Sequence, residues 1–247
     1  MPVTSHGCSD IGCVRTENED RILFDDALGL YVVCDGIGGR RRGDMAAEIA
    51  TNTIRDYIES SINPREVTWP YGYALQKSFA GNRLLTAVKM ANRQVFRRGE
   101  ESLQSLGMGT TVTAVLVDGS TAAVANIGDS RVYLLRGGRL EQLSVDDTVS
   151  MGLHAPDGTS QVRSVLTRAA GSEQNVDVHL KELELSDRDT LLLCSDGLYG
   201  YVPEEPIAVL LASAPTIRQG AEALIAAART EGAPDNASAV LLEYRIG

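Results

Sequence analysis

Hydrophobic period first becomes clear at Arg21. "RILFDDALGLYVVCDG" holds two short apolar runs, divided by turn residues from Asp26 to Gly29, and so predicts a pair of strands. From Asp44 the period lengthens. Ala46, Ile49, Ala50, Thr53, Ile54, Tyr57 and Ile58 fall on one helical stripe, with Asp44 as the expected N-cap. Pro64 and Pro70 interrupt the chain, and Leu84, Leu85, Val88, Ala91, Asn92 and Val95 then predict a second helix over about residues 81–98.

The period changes again after that. "TTVTAVLVDGSTAAVANIG" reads as two strands around Asp118-Gly119, and "RVYLLRGGRLEQL" repeats the plan around Gly137-Gly138. "VDVHLKELEL" and "DTLLLCSDG" predict two more strands, residues 203–214 and 216–230 two helices, and "ASAVLLEY" a last strand. Helices in pairs and strands in hairpins exclude strict βαβ alternation. They predict an α+β fold in which helices cover antiparallel sheets. Neither a repeat nor a linker divides the chain, so residues 1–247 are expected to form one domain. Residues 144–165, "SVDDTVSMGLHAPDGTSQVRSV", keep neither period over most of their length. They predict an irregular loop with its turn at Pro156-Asp157-Gly158.

Composition narrows the partners. At 43% hydrophobic and 23% charged residues, the chain can build a globular core. No apolar run approaches the roughly 20 residues that span a bilayer, and the first residues lack the pattern of a signal peptide. A cytoplasmic protein without a membrane span is therefore expected, acting as a monomer. The net charge of −10 argues against nucleic acid as a partner. Cys8 and Cys13, with His6 nearby, find no later Cys/His pair to complete a zinc site. Cys34 and Cys194 end apolar runs and read as small buried residues.

The acids change the picture most. "VVCDG" and "LLLCSDG" are buried-looking strands that both end in Asp-Gly, at Asp35 and Asp196. "RTENED" precedes the first predicted strand, "GAPDNAS" precedes the last, and "NIGDSR" joins two others. Any one Asp-Gly reads as a turn. Glycines 36, 38 and 39 fit neither a dinucleotide-binding nor a P-loop pattern. Strand ends of a sandwich can converge on one edge, where several carboxylates would repel one another unless hard divalent cations sat between them. Arg15 beside them suits a phosphate oxyanion.

The ordered set "RTENED", "VVCDGIGG", "GMGTTVTAVLV", "NIGDSRVYLLR", "LSVDD", "SVLTRAAG", "LLLCSDGLYGYV" and "APDNASAVLLEY" resembles the metal-dependent protein phosphatases, the PPM or protein phosphatase 2C family, in its bacterial form. The resemblance implies a four-layer α-β-β-α sandwich, two antiparallel sheets flanked by helix pairs. It implies two Mg²⁺ or Mn²⁺ ions, and phosphoserine and phosphothreonine in proteins as substrate. By position, Asp35 would bridge both ions and Asp196 and Asp235 would hold one. Glu19 and the Gly36 carbonyl would hold the other, with Asp20 in support. Asp129, with Asp196, would serve a weaker third ion. Arg15 would bind phosphate, and Asn236 would stand behind the ligands. Residues 144–165 would be the family's flap beside the metal cleft, and a cognate Ser/Thr kinase would be a partner.

Ile37 stands where some eukaryotic relatives carry a histidine, and Arg40 to Arg42 fill a place usually held by His and small residues. His154 and His179 receive no role. Two rivals remain. Cys34 to Arg40 has the C-x5-R spacing of cysteine-dependent tyrosine phosphatases, and a catalytically inactive member would bind phosphoproteins without cleaving them.

Overall fold

A computed structural model describes residues 3–38, 42–64, 67–101, 105–154 and 160–246. Among these residues the strands form two five-stranded antiparallel sheets and two short pairs. The first sheet has the order β12 (His179–Glu184), β7 (Thr121–Ile127), β6 (Val112–Asp118), β3 (Leu30–Cys34), β2 (Arg21–Asp25). The second has the order β1 (Val3–Asp10), β14 (Ala237–Tyr244), β13 (Thr190–Cys194), β8 (Arg131–Arg136), β9 (Arg139–Gln142). β4 (Gly36–Ile37) pairs with β5 (Gly109–Thr110), and β10 (Thr148–His154) with β11 (Ser160–Leu166).

The central strands are apolar on both faces because both faces are covered. In β3, Leu30, Val32 and Cys34 pack under α1 (Arg42–Ser60) and α2 (Phe79–Glu100), while Tyr31 and Val33 face the other sheet. In β13, Leu191 and Leu193 fill the layer between the sheets. Leu192 and Cys194 turn the other way, toward α5 (Ile217–Thr230) and Ile207 of α4 (Glu204–Ser213). Side chains alternate across a strand, so continuous runs such as "LYVVC" and "LLLC" mark strands sandwiched between two apolar layers. The result is the expected α-β-β-α order.

Three expectations change. Helix α1 begins at Arg42, so Asp44 is not its N-cap but lies in its first turn, where it pairs with Arg21. Residues 144–165 are not an irregular loop, because β10 and β11 form a hairpin with Val149 opposite Val165. Val149, Met151 and Val165 are half-exposed. Among the described residues no third strand pairs with these two, so the apolar density that marks the central strands is missing. The turn expected at residues 156–158 lies outside the described residues. Strand β1 is also new, since "VTSHGCSD" carries only weak alternation.

Candidate active site

Strand register brings the acids together. In β2–β3, Arg21 faces Cys34, which puts Asp20 opposite Asp35 one residue beyond. In β8–β13, Arg131 faces Cys194, which sets Asp129 across from Asp196. In β13–β14, Cys194 faces Ala239, so Asp196 lies beside Asp235 and Asn236 at the start of β14. Each carboxylate sits where a ladder runs out, at one end of the sandwich.

The backbone there is tied down tightly. The Asp35 N–H donates to Thr111 Oγ1 at 2.9 Å, and its carbonyl accepts from the Thr111 N–H at 2.8 Å and from Thr110 Oγ1 at 2.9 Å. The main chain is saturated, so only the carboxylate is left to face the cleft. Asn236 fastens the acidic "RTENED" segment. Its Oδ1 accepts from the Glu19 N–H at 2.8 Å, and its amide donates to the carbonyls of Ile11 and Glu17 at 2.9 and 3.0 Å.

Gly36 and Gly43 explain why glycine is needed beside Asp35. A Cβ on Gly36 would stand 2.2 Å from the Gly43 carbonyl carbon and 2.7 Å from the Glu19 carbonyl oxygen. A Cβ on Gly43 would stand 2.6 Å from the Gly36 carbonyl oxygen and 2.9 Å from Glu19 Cδ. Glu19 therefore lies across a surface made of two bare glycines. Gly43 escaped sequence reasoning because a glycine after three arginines looks like an ordinary turn before a helix.

The electrostatics are those of crowded anions. Burial, then Asp20, Asp196, Asp235 and Asp129, pushes the Asp35 pKa well above the carboxylate range. Burial and the Asp235 charge raise Asp196, and a hydrogen bond between Asp35 and Asp196 opposes them. Asp20 is 2% exposed. Its Oδ2 accepts from Ser195 and Ser238 at 2.8 and 2.6 Å, while Oδ1 has no partner. Burial outweighs those two hydrogen bonds and lifts Asp20 to about 6. Burial, then Asp196, lifts Asp129 to about 6 as well. Arg15 is paired, its Nη2 donating to Asp235 Oδ2 at 2.7 Å.

This donor set fits hard divalent cations. It is all oxygen, it is anionic, and it leaves Asp20 Oδ1 and Asp196 Oδ1 buried without a hydrogen-bond partner. Among the described residues no three His, Cys, Asp or Glu side chains close on one point as a finished protein-only site. Magnesium and manganese keep several waters, so a centre for them needs no such closure.

Other expected residues separate from the site. Cys34 is fully buried, and burial pushes its thiol up to about 12 despite hydrogen bonds from Thr51 and Thr110. It cannot present a thiolate, which removes the C-x5-R reading; Arg40 and Arg41 lie outside the described residues. Arg42 Nη1 donates to the Leu106 carbonyl at 3.0 Å. His179 joins Arg168 on Asp147 Oδ1, at 3.0 and 2.8 Å. Asp147 Oδ2 accepts from the Gly128 N–H at 2.9 Å. Asp147 thus anchors the base of the β10–β11 hairpin to the segment that carries Asp129. The "LSVDD" motif had pointed to Asp147 without giving it a task.

The comparisons with known proteins agree with this geometry. The family model "Protein phosphatase 2C" matches residues 15–237, the span from Arg15 to beyond Asn236. The serine/threonine phosphatase stp of Listeria innocua is 32% identical over 96% of this chain and 94% of its own length. The serine/threonine protein phosphatase PstP of Mycobacterium tuberculosis is 33% identical over 95% of this chain and 44% of its own. A crystal structure of that phosphatase superposes with a TM-score of 0.81 at 30% identity, covering 99% of both chains. Another, of the PstP catalytic domain in complex with two manganese ions, gives 0.79 at 29% identity, again over 99% of both chains. The chain belongs to the protein phosphatase 2C family, the metal-dependent protein-serine/threonine phosphatases. Among its described residues no helix is long and apolar enough to cross a membrane.

Proposed function

We propose that this chain hydrolyses phosphoserine and phosphothreonine in proteins at the carboxylate cluster of Asp35, Asp196 and Asp235. These three, with Glu19 and the Gly36 carbonyl, would hold two divalent cations, Mg²⁺ or Mn²⁺. Asp20 supports them from below, and Asp129, with Asp196, would take a weaker third ion. The observation that carries this reading is the convergence of these acids by strand register on one end of the sandwich.

When bound, the cations polarise the phosphoryl group and lower the pKa of water. The chain's own part is to place and hold charge. Asp35, with its main chain saturated, is a rigidly held carboxylate that would serve both cations. Arg15 on the rim offers a planar cation to the phosphate oxygens once it leaves Asp235. Cys34 is buried and offers no thiol nucleophile, and the proposed step is direct transfer of the phosphoryl group to water.

Residues 1–247 are read as one phosphatase domain with 144–165 as its flap, a cytoplasmic monomer that opposes a Ser/Thr kinase. Phosphate release from a phosphothreonine peptide, with metal stripped and then restored as Mn²⁺, tests the centre. Asp35→Asn or Asp196→Asn should be folded and inactive, while Cys34→Ser should remain active. Full turnover after dialysis against chelator would overturn the reading.

A further inference from the structure

Asp129 is reached by a residue that the proposed chemistry leaves unused. The short helix α3 (Asp196–Tyr199) begins with Asp196 and ends with Tyr199, whose hydroxyl donates to the Asp129 carbonyl at 2.9 Å. One turn of helix therefore carries one of the two acids and grips the backbone of the other. The tyrosine is itself clamped. The Arg131 guanidinium stacks on its ring, with Cζ 3.8 Å from the centroid. Asp146 holds that guanidinium through Nε at 3.0 Å and Nη2 at 2.7 Å. Tyr133 accepts from Arg131 Nη1 at 2.8 Å. Asp146, Arg131 and Tyr199 thus form one run of contacts that ends at the Asp129 carbonyl and restrains the phenol.

We infer that Tyr199 is a positioning residue that fixes Asp129 relative to Asp196 and thereby sets the affinity of the weakest bound divalent cation. The inference rests on the reading of Asp129 and Asp196 as holders of that ion. Its physical basis is rigidity: two anions hold a cation between them tightly only if neither can relax away from the other. Gly128 and Ser130 are tied on either side, Ser130 through Thr111 Oγ1 and Thr113 Oγ1 at 2.8 and 2.9 Å, which leaves the Asp129 peptide between them to be held. The Asp147 carboxylate restrains it on one side through the Gly128 N–H, and Tyr199 on the other through the Asp129 carbonyl.

The test is a Mn²⁺ titration of the metal-free full chain, with free ion followed by electron paramagnetic resonance. Wild type, Asp129→Asn, Tyr199→Phe and the double variant are compared. Tyr199→Phe keeps the stack on Arg131 and deletes one hydrogen bond. It should weaken only the last ion, by roughly two- to ten-fold, the range for one net hydrogen bond. In the double variant the loss should be no greater than in Asp129→Asn alone, because both act through one group. Unchanged affinity for the last ion in Tyr199→Phe, or losses that add fully, would overturn the inference. If wild type takes up only two ions, the reading of Asp129 fails and the inference fails with it.

Discussion

Arg15 donates to Asp235 at 2.7 Å, so the cation expected to hold phosphate is held by an acid expected to hold metal. The pair is half-exposed, and such pairs contribute only about 0–1 kcal/mol. It is a contact that a divalent cation can displace. If Asp235 holds metal and Arg15 holds phosphate, as proposed, the two sites are linked through one side chain: a cation on Asp235 would free Arg15 for substrate.

Arg15→Ala should accordingly raise KM for a phosphopeptide about ten-fold or more, the scale of a lost charge-assisted contact. Mn²⁺ affinity should stay level or improve, since a competing positive charge is gone. Steady-state kinetics and calorimetric Mn²⁺ titration check the two halves separately. Weaker metal binding in the variant would show that Arg15 organises the carboxylates instead.

The raised acids make a prediction about pH. Asp20 and Asp129 titrate near 6 in the folded chain, against an ordinary value of 3.8. Between those values the folded state binds more protons than the unfolded state. The stability these two groups contribute to the metal-free protein is therefore expected to be present below about 4 and lost as pH rises through about 6. Asp35 and Asp196 shift in the same direction. The melting temperature of chelator-stripped protein should fall between pH 5 and pH 7.5, and Mn²⁺ should flatten the trend by favouring the ionised forms. A metal-free melting temperature that climbs over that interval would remove the crowded-anion account.

Gly43→Ala tests the glycine platform. Its Cβ would meet the Gly36 carbonyl oxygen at 2.6 Å and Glu19 Cδ at 2.9 Å, closer than side chains normally stand. The position is helical, so the cost is steric. Something must move, at roughly 1–3 kcal/mol for an overpacked site. The expected outcome is a modest fall in melting temperature with a disproportionate loss of Mn²⁺ affinity. If affinity is retained, Glu19 and the Gly36 carbonyl are not ligands together.

Much of this was legible in the sequence because the clustered acids sit where apolar runs stop. Asp35 and Asp196 follow strands whose apolar residues are all buried on one face or the other, so their exit points stand out. Register then did what no local pattern could, by setting Asp20 against Asp35 and Asp129 against Asp196. What stayed hidden has no period. Tyr199 ends a four-residue helix, too short to show a stripe. Gly43 matters for the atom it lacks. Strand β1 alternates weakly, and among the described residues β10–β11 pairs with no third strand, so neither carries the apolar density that marks the central ladders.

The hairpin supplies the last prediction. Val149 faces Val165 across β10–β11, and both are half-exposed, as is Met151. Exposed apolar side chains gain nothing from folding and gain from contact with another apolar surface. The hairpin springs from Asp147, which also holds the Gly128 N–H, so its base lies beside the segment carrying Asp129. A phosphoprotein entering the cleft would therefore meet this strand pair, whereas p-nitrophenyl phosphate, with little beyond its phosphate, would not. Replacing residues 152–160 with a short Gly/Ser linker, or changing Val149 and Met151 to Ser, should cut kcat/KM on a phosphoprotein far more than on p-nitrophenyl phosphate. Mn²⁺ affinity should be unchanged, because the proposed ligands lie outside the hairpin. Equal proportional losses on both substrates, with metal binding intact, would mean that the hairpin shapes the catalytic centre and does not receive the protein around the phosphate.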